Sequence, residues 1–509
     1  MARTYAPARS QFGAATAPSG RRVVKTIALR ELTEQLTSLR FLIITLLLVG
    51  LTPLAVYVGA RDYTNRLEDY NRLVAEQQEL IAGPVGKQVR GIDELFTSQN
   101  ELAVLRTLRP PEPLSVLVRG LDGVLPEYWD FSPAGLIVGP PPSRAHRLAD
   151  LLGQLDLEFL VRVALGLLAI SLAFDAVAGE KELGTLRVAL SQPISRSAFL
   201  AGKLAGGSIT LLVPLITAFL LALLSAQLFD LNLLAADTLK KVALIAATSS
   251  TYLVCFYALG LVVSSLATSQ KTSLVVLLVI WVVAVLTVPP LSTLVAQAIS
   301  PVPPGHAVQA KKRALDEDIR RQAERAMGDI FREVTGQDRM VGTSLYLQHK
   351  EAIDRQIAPI VTNYVSKRRQ LLGELERDAE RRTTQQNEIA RAIMALSPAA
   401  VFAGAAADLG GTGDTYAKAW LEAVRQYQSR LNAALFDDPP VVQMRLRNMS
   451  MALERLQPPP LTRLPGSVSP RRNTTAAIER ALPALGSLAL YTGLFIVGGF
   501  VAFARYDVR

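Results

Sequence analysis

Cysteine is almost absent. Cys255 stands alone in 509 residues, so no intramolecular disulfide can form and a thiolate metal site lacks ligands. Cys255 lies within an apolar stretch and reads as a small buried hydrophobe. Histidine is nearly as scarce; His146, His306 and His349 are far apart, lack metal-ligand spacing and read as surface residues. No Gly-x-Ser-x-Gly nucleophile elbow occurs. The G-x-x-x-x-G-K-[ST] spacing that cradles a nucleotide phosphate is missing too, and "GPVGKQ" has the wrong glycine interval. The sequence therefore shows no nucleotide motor of its own, and no metal or cofactor site is expected in this chain. Aromatic residues make up 6% and are not interleaved with the basic ones. A net charge of +10 thus comes without stacking platforms, and nucleic acid is not an expected partner.

Apolar residues, in contrast, make up 50% of the chain and are gathered into segments. Five of these reach the roughly 20 residues that a membrane-spanning helix needs, and a weaker sixth runs from Glu158 to Asp175. The spans are expected at 41–60, 157–175, 208–228, 242–267, 272–298 and 485–505. The first is too long and begins too late for a cleaved leader, so it is expected to remain as an anchor. Arg3, Arg9, Arg21, Arg22, Lys25, Arg30 and Arg40 precede it against Glu31 and Glu34, which places the amino terminus in the cytoplasm. Lys240 and Lys241 then fall outside and run against the charge rule.

With that orientation, residues 61–156 and 299–484 are external, whereas 176–207 and the carboxyl terminus are cytoplasmic. Residues 1–24 have the composition of a disordered tail. In 25–40, Leu29, Leu32, Leu36 and Leu39 recur at helical spacing, the pattern of an amphipathic helix on the inner membrane surface. The first insertion begins as a polar helix and then passes "RPPEPLSVLVRG", where prolines precede a strand-like apolar run. In the second, Ile353, Ile357, Ile360, Tyr364, Leu371 and Leu375 mark one face of a long helix. The charged segment 310–334 can pair with it antiparallel, and a third helix covers 415–435. The expectation is a mainly α, polytopic membrane protein with six transmembrane helices. A short cytoplasmic helix joins the second to the third, and there are two external insertions, the first small and mixed α/β, the second helical. Arg162 and Asp175 are the ionisable residues within the spans, each near a helix end where it can reach the interface.

The stretch "GEKELGTLRVALSQPISRSAFLAGK", between the second and third spans, is too long for a turn and too short for a domain. Thr185 offers a helix cap there, Leu186 and Leu190 a small apolar face, Pro193 a stop, and Ser195 or Ser197 a fresh start. With its flanks it resembles the cytoplasmic signature of permease subunits of bacterial type-2 ABC transporters, in the subgroup with large external domains. In that signature an acidic residue, Gly-Thr-Leu and Pro-x-Ser-Arg precede a lysine. The matching positions are Glu180, Glu182, Gly184, Thr185, Leu186, Pro193, Ser195, Arg196 and Lys203. The terminal "FARYDVR" and the pre-membrane helix with Glu31 and Arg40 are similar as well.

The resemblance implies a coupling helix docked on a cytoplasmic ABC ATPase subunit, which itself binds ATP and magnesium. Glu180 and Glu182 are expected to meet basic groups on that ATPase, and Arg196 an acidic one. It further implies an exporter in the bacterial inner membrane, both termini cytoplasmic, lipid around it, and a second permease copy or a paralogue beside it. The large insertions keep a rival open, a mechanotransmission protein that relays ATPase motion to a periplasmic partner without moving substrate. A secondary transporter fits less well, because neither an inverted repeat nor paired intramembrane acids are visible.

Overall fold

A computed structural model of the chain describes residues 20–82, 106–132 except 124, 135–138, 155–336 except 193, 349–436 and 473–505. Among these residues, six helices are long and apolar enough to cross a membrane. They are α2 (Leu39–Ala82), α3 (Leu157–Glu182), α5 (Arg196–Gln227), α6 (Ala236–Leu266), α7 (Gln270–Ile299) and α12 (Thr474–Ala504). The fold is mainly α and polytopic. The entry helix α1 (Gly20–Leu36) precedes α2, and its first five residues lie in the stretch read as a disordered tail.

The four leucines do not share one face: Leu29, and Leu39 at the start of α2, are more than half exposed, whereas Leu32 is half-buried and Leu36 packs against the core. The face α1 gives to the bundle is Val24, Ile27, Ala28, Glu31 and Gln35. It lies along the first turns of α5, where side chains are nearly absent. A Cβ on Gly202 would stand 2.7 Å from the Ile27 side chain, and one on Gly206 would stand 2.7 Å from the Ala28 carbonyl oxygen. Small residues four apart let two backbones approach this closely. Gly207 continues the stripe against α6, where an added Cβ would fall 1.9 Å from the Tyr257 ring. Because Tyr257 is fully buried, it has no space to swing aside. Gly207→Ala is therefore expected to destabilise the protein by about 1–3 kcal/mol. Gly328→Ala, in the helix Gly305–Thr335 where the new methyl meets nothing within 4 Å, is expected to gain about 1 kcal/mol. Thermal unfolding of the two variants in detergent measures the contrast.

The carboxyl-terminal end of α2 leads into the first insertion. Its described part is a three-stranded antiparallel sheet, β1 (Arg106–Leu108), β2 (Tyr128–Ser132) and β3 (Gly135–Val138), paired in that order. The apolar run after the prolines is not a strand. Pro113–Val116 form a 3-10 turn, because proline sets a helical φ at its start. Leu114, Val116, Leu117 and Val118 are all buried, so the run is apolar without alternating.

In the second insertion α8 (Gly305–Thr335) and α9 (Lys350–Met394) form an antiparallel hairpin. Ile319, Ala323, Met327 and Phe331 are its buried stripe on α8, facing Ile353, Ile357, Ile360 and Tyr364 on α9. Below the hairpin α9 continues beside α7, with Gln386 Nε2 donating to the Ser300 carbonyl (3.2 Å). Residues 398–410, counted with the external region in the sequence, then form α10 (Pro398–Gly410), which packs into the bundle. The Phe402 ring stacks on Tyr252, halfway along α6, with centroids 4.5 Å apart. Its 13 residues span only about 20 Å, too short to cross, so α10 enters and leaves on one side. α11 (Asp414–Phe436) follows it.

A backbone irregularity holds α10 in place. Val282–Thr287 of α7 wind as a π-helix, with Val288 N–H donating to the Val283 carbonyl. In that register the Ala284 carbonyl faces the nitrogen of Pro289, which has no hydrogen to give. Ser397 Oγ supplies one, at 2.6 Å. Pro289 thus frees an acceptor in the middle of a span, and the cap residue of the re-entrant helix fills it.

Candidate functional site

The insert between the second and third spans is built from the end of α3, the short helix α4 (Thr185–Ser191) and the start of α5. Gly184 separates the first two with a φ of +71°, the left-handed conformation that ends many helices and that glycine adopts without strain. Thr185 is the first residue of α4, not its cap, and its Oγ1 donates to the Glu180 carbonyl (3.4 Å). Leu186 is 1% exposed and anchors α4 to the bundle. Pro193 lies outside the described residues. Ser195 then caps α5, its Oγ accepting from Ala198 N–H (3.2 Å).

Five charged residues of the insert, Glu180, Lys181, Glu182, Arg196 and Lys203, find partners within the chain. Lys203 Nζ lies 2.8 Å from a carboxylate oxygen of Glu31 and 2.8 Å from one of Glu180, joining α1, α3 and α5 at one ammonium. Gln35 Nε2 donates to Glu31 (2.6 Å) and to Tyr257 Oη (3.1 Å), and Tyr257 Oη donates to the Lys203 carbonyl (3.4 Å). Three other charges sit on helix ends. Glu182 Oε2 accepts from Gln270 N–H at the start of α7 (3.0 Å). Lys181 Nζ donates to the Ser265 and Ala267 carbonyls at the end of α6. Arg196 donates to the Ala504 carbonyl at the end of α12 (2.7 Å). Anions belong at helix starts and cations at helix ends, because the unpaired N–H and C=O groups leave partial charges there. One further tie runs from Arg40 to Asp175 (3.0 Å) and to the Ser171 carbonyl (2.7 Å). Ser264 Oγ accepts from the backbone of Val177 and Ala178 and donates to the Phe174 carbonyl.

The insert is thus fastened to the neighbouring ends of α6, α7 and α12 and to α1. It also shows apolar side chains to solvent: Leu183 is 74% exposed and Val188 is 67% exposed, beside exposed Glu182, Thr185, Arg187 and Arg196. A family model described as ABC-2 family transporter protein matches residues 25–508. The chain belongs to the ABC-2 transporter family. It is a permease component of an ABC transporter, a multi-pass membrane protein whose family implies a partner ATPase subunit. Among curated proteins no match is found.

Within this ABC-2 permease, the sequence marks Glu180, Glu182, Gly184, Thr185, Leu186, Ser195, Arg196 and Lys203 as one segment. The structure joins Glu180 to Lys203 directly and gives Glu182 and Arg196 to separate helix ends. Sequence reasoning missed Gln35, Tyr257 and the glycine stripe as members of the same network. Gly202 and Gly206 at an interval of four were the available signal. Tyr257 carries none, because its partners lie 222 and 54 residues away, and the four-residue interval of Gln35 and Glu31 does not reveal that the pair faces Tyr257. Among the described residues no cluster of histidine, cysteine and carboxylates could hold a metal ion.

Proposed function

We propose that this permease serves an ATP-driven exporter in which a separate cytoplasmic ATPase, binding ATP and magnesium, docks on the exposed side of α4. The supporting observation is the pairing of an internally fastened insert with uncovered Leu183 and Val188. Apolar side chains held outward beside a membrane span, on the side opposite the external insertions, fit a protein partner. Closure of the ATPase would push α4, and the ties of Lys181, Glu182, Arg196 and Lys203 would carry the displacement to α6, α7, α12 and α1. Glu180 and Glu182 then work mainly as internal ties, and the docking contact is apolar with Arg187 at its edge. A second permease copy or a paralogue encloses the path, in the inner membrane, with both termini cytoplasmic.

Val188→Asp, co-expressed with the ATPase, is expected to reduce recovery of the complex at least about tenfold, with an unchanged melting profile. Undiminished co-purification and undiminished stimulation of ATP hydrolysis would remove this reading. One observation favours the mechanotransmission alternative: α9 runs unbroken over 45 residues from the external hairpin to the level of Tyr491, whose Oη donates to the Ala395 carbonyl (2.6 Å). Replacing residues 313–375 by a short linker leaves α10 in place. Export that survives the replacement supports transport, whereas hydrolysis that persists without any effect on an envelope partner counts against the relay.

A further inference from the structure

α1, α5 and α12 enclose an open groove of about 650 Å³ on the flank of the bundle. Arg21 and Lys25 stand at one end, and Ala201, Ala205, Ile209 and Phe500 line its length. We propose that this groove holds an anionic phospholipid of the cytoplasmic leaflet, its headgroup between Arg21 and Lys25 and an acyl chain along the small and apolar residues.

The level of the groove relative to the spans fits this occupant. Arg196 binds the last carbonyls of α12, and Phe199 stacks on Phe503 with centroids 5.5 Å apart, so the first turn of α5 marks the cytoplasmic edge of the bundle. The cationic end of the groove lies beside Ser197 and Ala198 in that turn, and the apolar end reaches Ile209, which is 47% exposed. The charge distribution fits as well. Arg21 and Lys25 are one helical turn apart on α1, and like charges at that spacing repel. Among the described residues neither is ion-paired within the chain. The start of α5 points its own partial positive charge at the same place. An anion relieves all three, and a lipid brings the anion together with the chain that the groove walls require.

The test uses the whole protein, purified and delipidated in detergent, and reads thermal unfolding and bound lipid. Neither readout involves the ATPase, so failure here leaves the docking proposal on α4 untouched, and the reverse. Phosphatidylglycerol is expected to raise the unfolding temperature, whereas phosphatidylcholine and inorganic phosphate leave it unchanged. In Arg21→Gln/Lys25→Gln, the phosphatidylglycerol needed for half the effect is expected to rise roughly tenfold. Ala201→Trp, which keeps both charges and fills the groove, is expected to abolish the response. A photoactivatable phosphatidylglycerol should label α1, α5 or α12 in the wild-type protein, which covers the case of a double variant that does not fold. Equal stabilisation by phosphatidylcholine or by phosphate alone would overturn the proposal. So would an undiminished response in the double variant, labelling confined to other helices, or loss of dimers in Ala201→Trp without lipid, which would show a second copy in the groove.

Discussion

Lys203→Met is expected to destabilise the protein by about 3–5 kcal/mol, the largest effect of any single replacement in the bundle. Lys203 is only 5% exposed, and Glu31 only 7%. Removing the ammonium leaves the Glu31 carboxylate buried without its counter-charge, and Glu180, a quarter exposed at its side chain, loses the same partner. The penalty arises chiefly from the stranded anion, because a buried ion pair contributes little beyond an apolar replacement of the same shape. Adding Glu31→Gln to Lys203→Met is therefore expected to restore most of the lost stability. Glu180→Gln alone should cost much less, since water reaches that carboxylate. Thermal unfolding of the three variants in one detergent checks the ordering; a Lys203→Met protein that melts with the wild type would show that the network contributes nothing.

Asp122→Asn is expected to open the unit between the first two spans, again at about 3–5 kcal/mol, while the spanning helices stay folded. Asp122 is buried beneath Arg66 and Arg109, each of which donates to one of its carboxylate oxygens. Arg109 Nη2 also donates to the Asp122 carbonyl (3.1 Å), and Arg66 Nη2 to Ser115 Oγ (3.1 Å). Asparagine has the shape of aspartate but leaves the buried Arg109 guanidinium without this anion and Arg66 with Asp62 alone (3.1 Å). Burial by itself would raise the Asp122 carboxyl, but Arg66 and then Arg109 outweigh it and hold it below the ordinary carboxylate range. A depressed folded value contributes stability that is present above the unfolded value, about pH 4, and is lost as pH falls through the folded one. The unit is therefore expected to stay closed through the neutral range and to loosen only in strong acid.

Glu127 has the opposite sign. Burial first, and then the Asp69 carboxylate, push it up, so its contribution is present at acid pH and lost as pH rises through the raised value. Glu127→Gln is expected to stabilise the unit modestly at pH 7 and to have no effect at pH 4. Limited proteolysis of the intact protein at both pH values reports on these two variants.

Hydropathy alone is enough for the number of spans, because each must offer the bilayer about 20 apolar residues whatever it packs against. The hairpin of α8 and α9 was legible for a similar reason: Ile353, Ile357 and Ile360 repeat at the interval that a helix pair buries. α10 was not. Thirteen mostly small, apolar residues carry neither the length of a span nor the polarity of a surface helix, and their place depends on a carbonyl that Pro289 frees on another helix. The strand expected after Pro113 failed because an apolar run records burial and not the backbone conformation that achieves it.

The sequence by itself determined the mainly α, six-span character of the chain, the position of the insert between the second and third spans and the residue types within it. These follow from solvent preference and local backbone chemistry, which each segment carries independently of its neighbours. Only the tertiary structure decided that Glu180 turns inward to Lys203, that Glu182 and Arg196 hold helix ends, and that Leu183 and Val188 remain uncovered. A charge in a sequence has no direction; its partner is chosen by which helix ends meet it in space, and those lie dozens to hundreds of residues away.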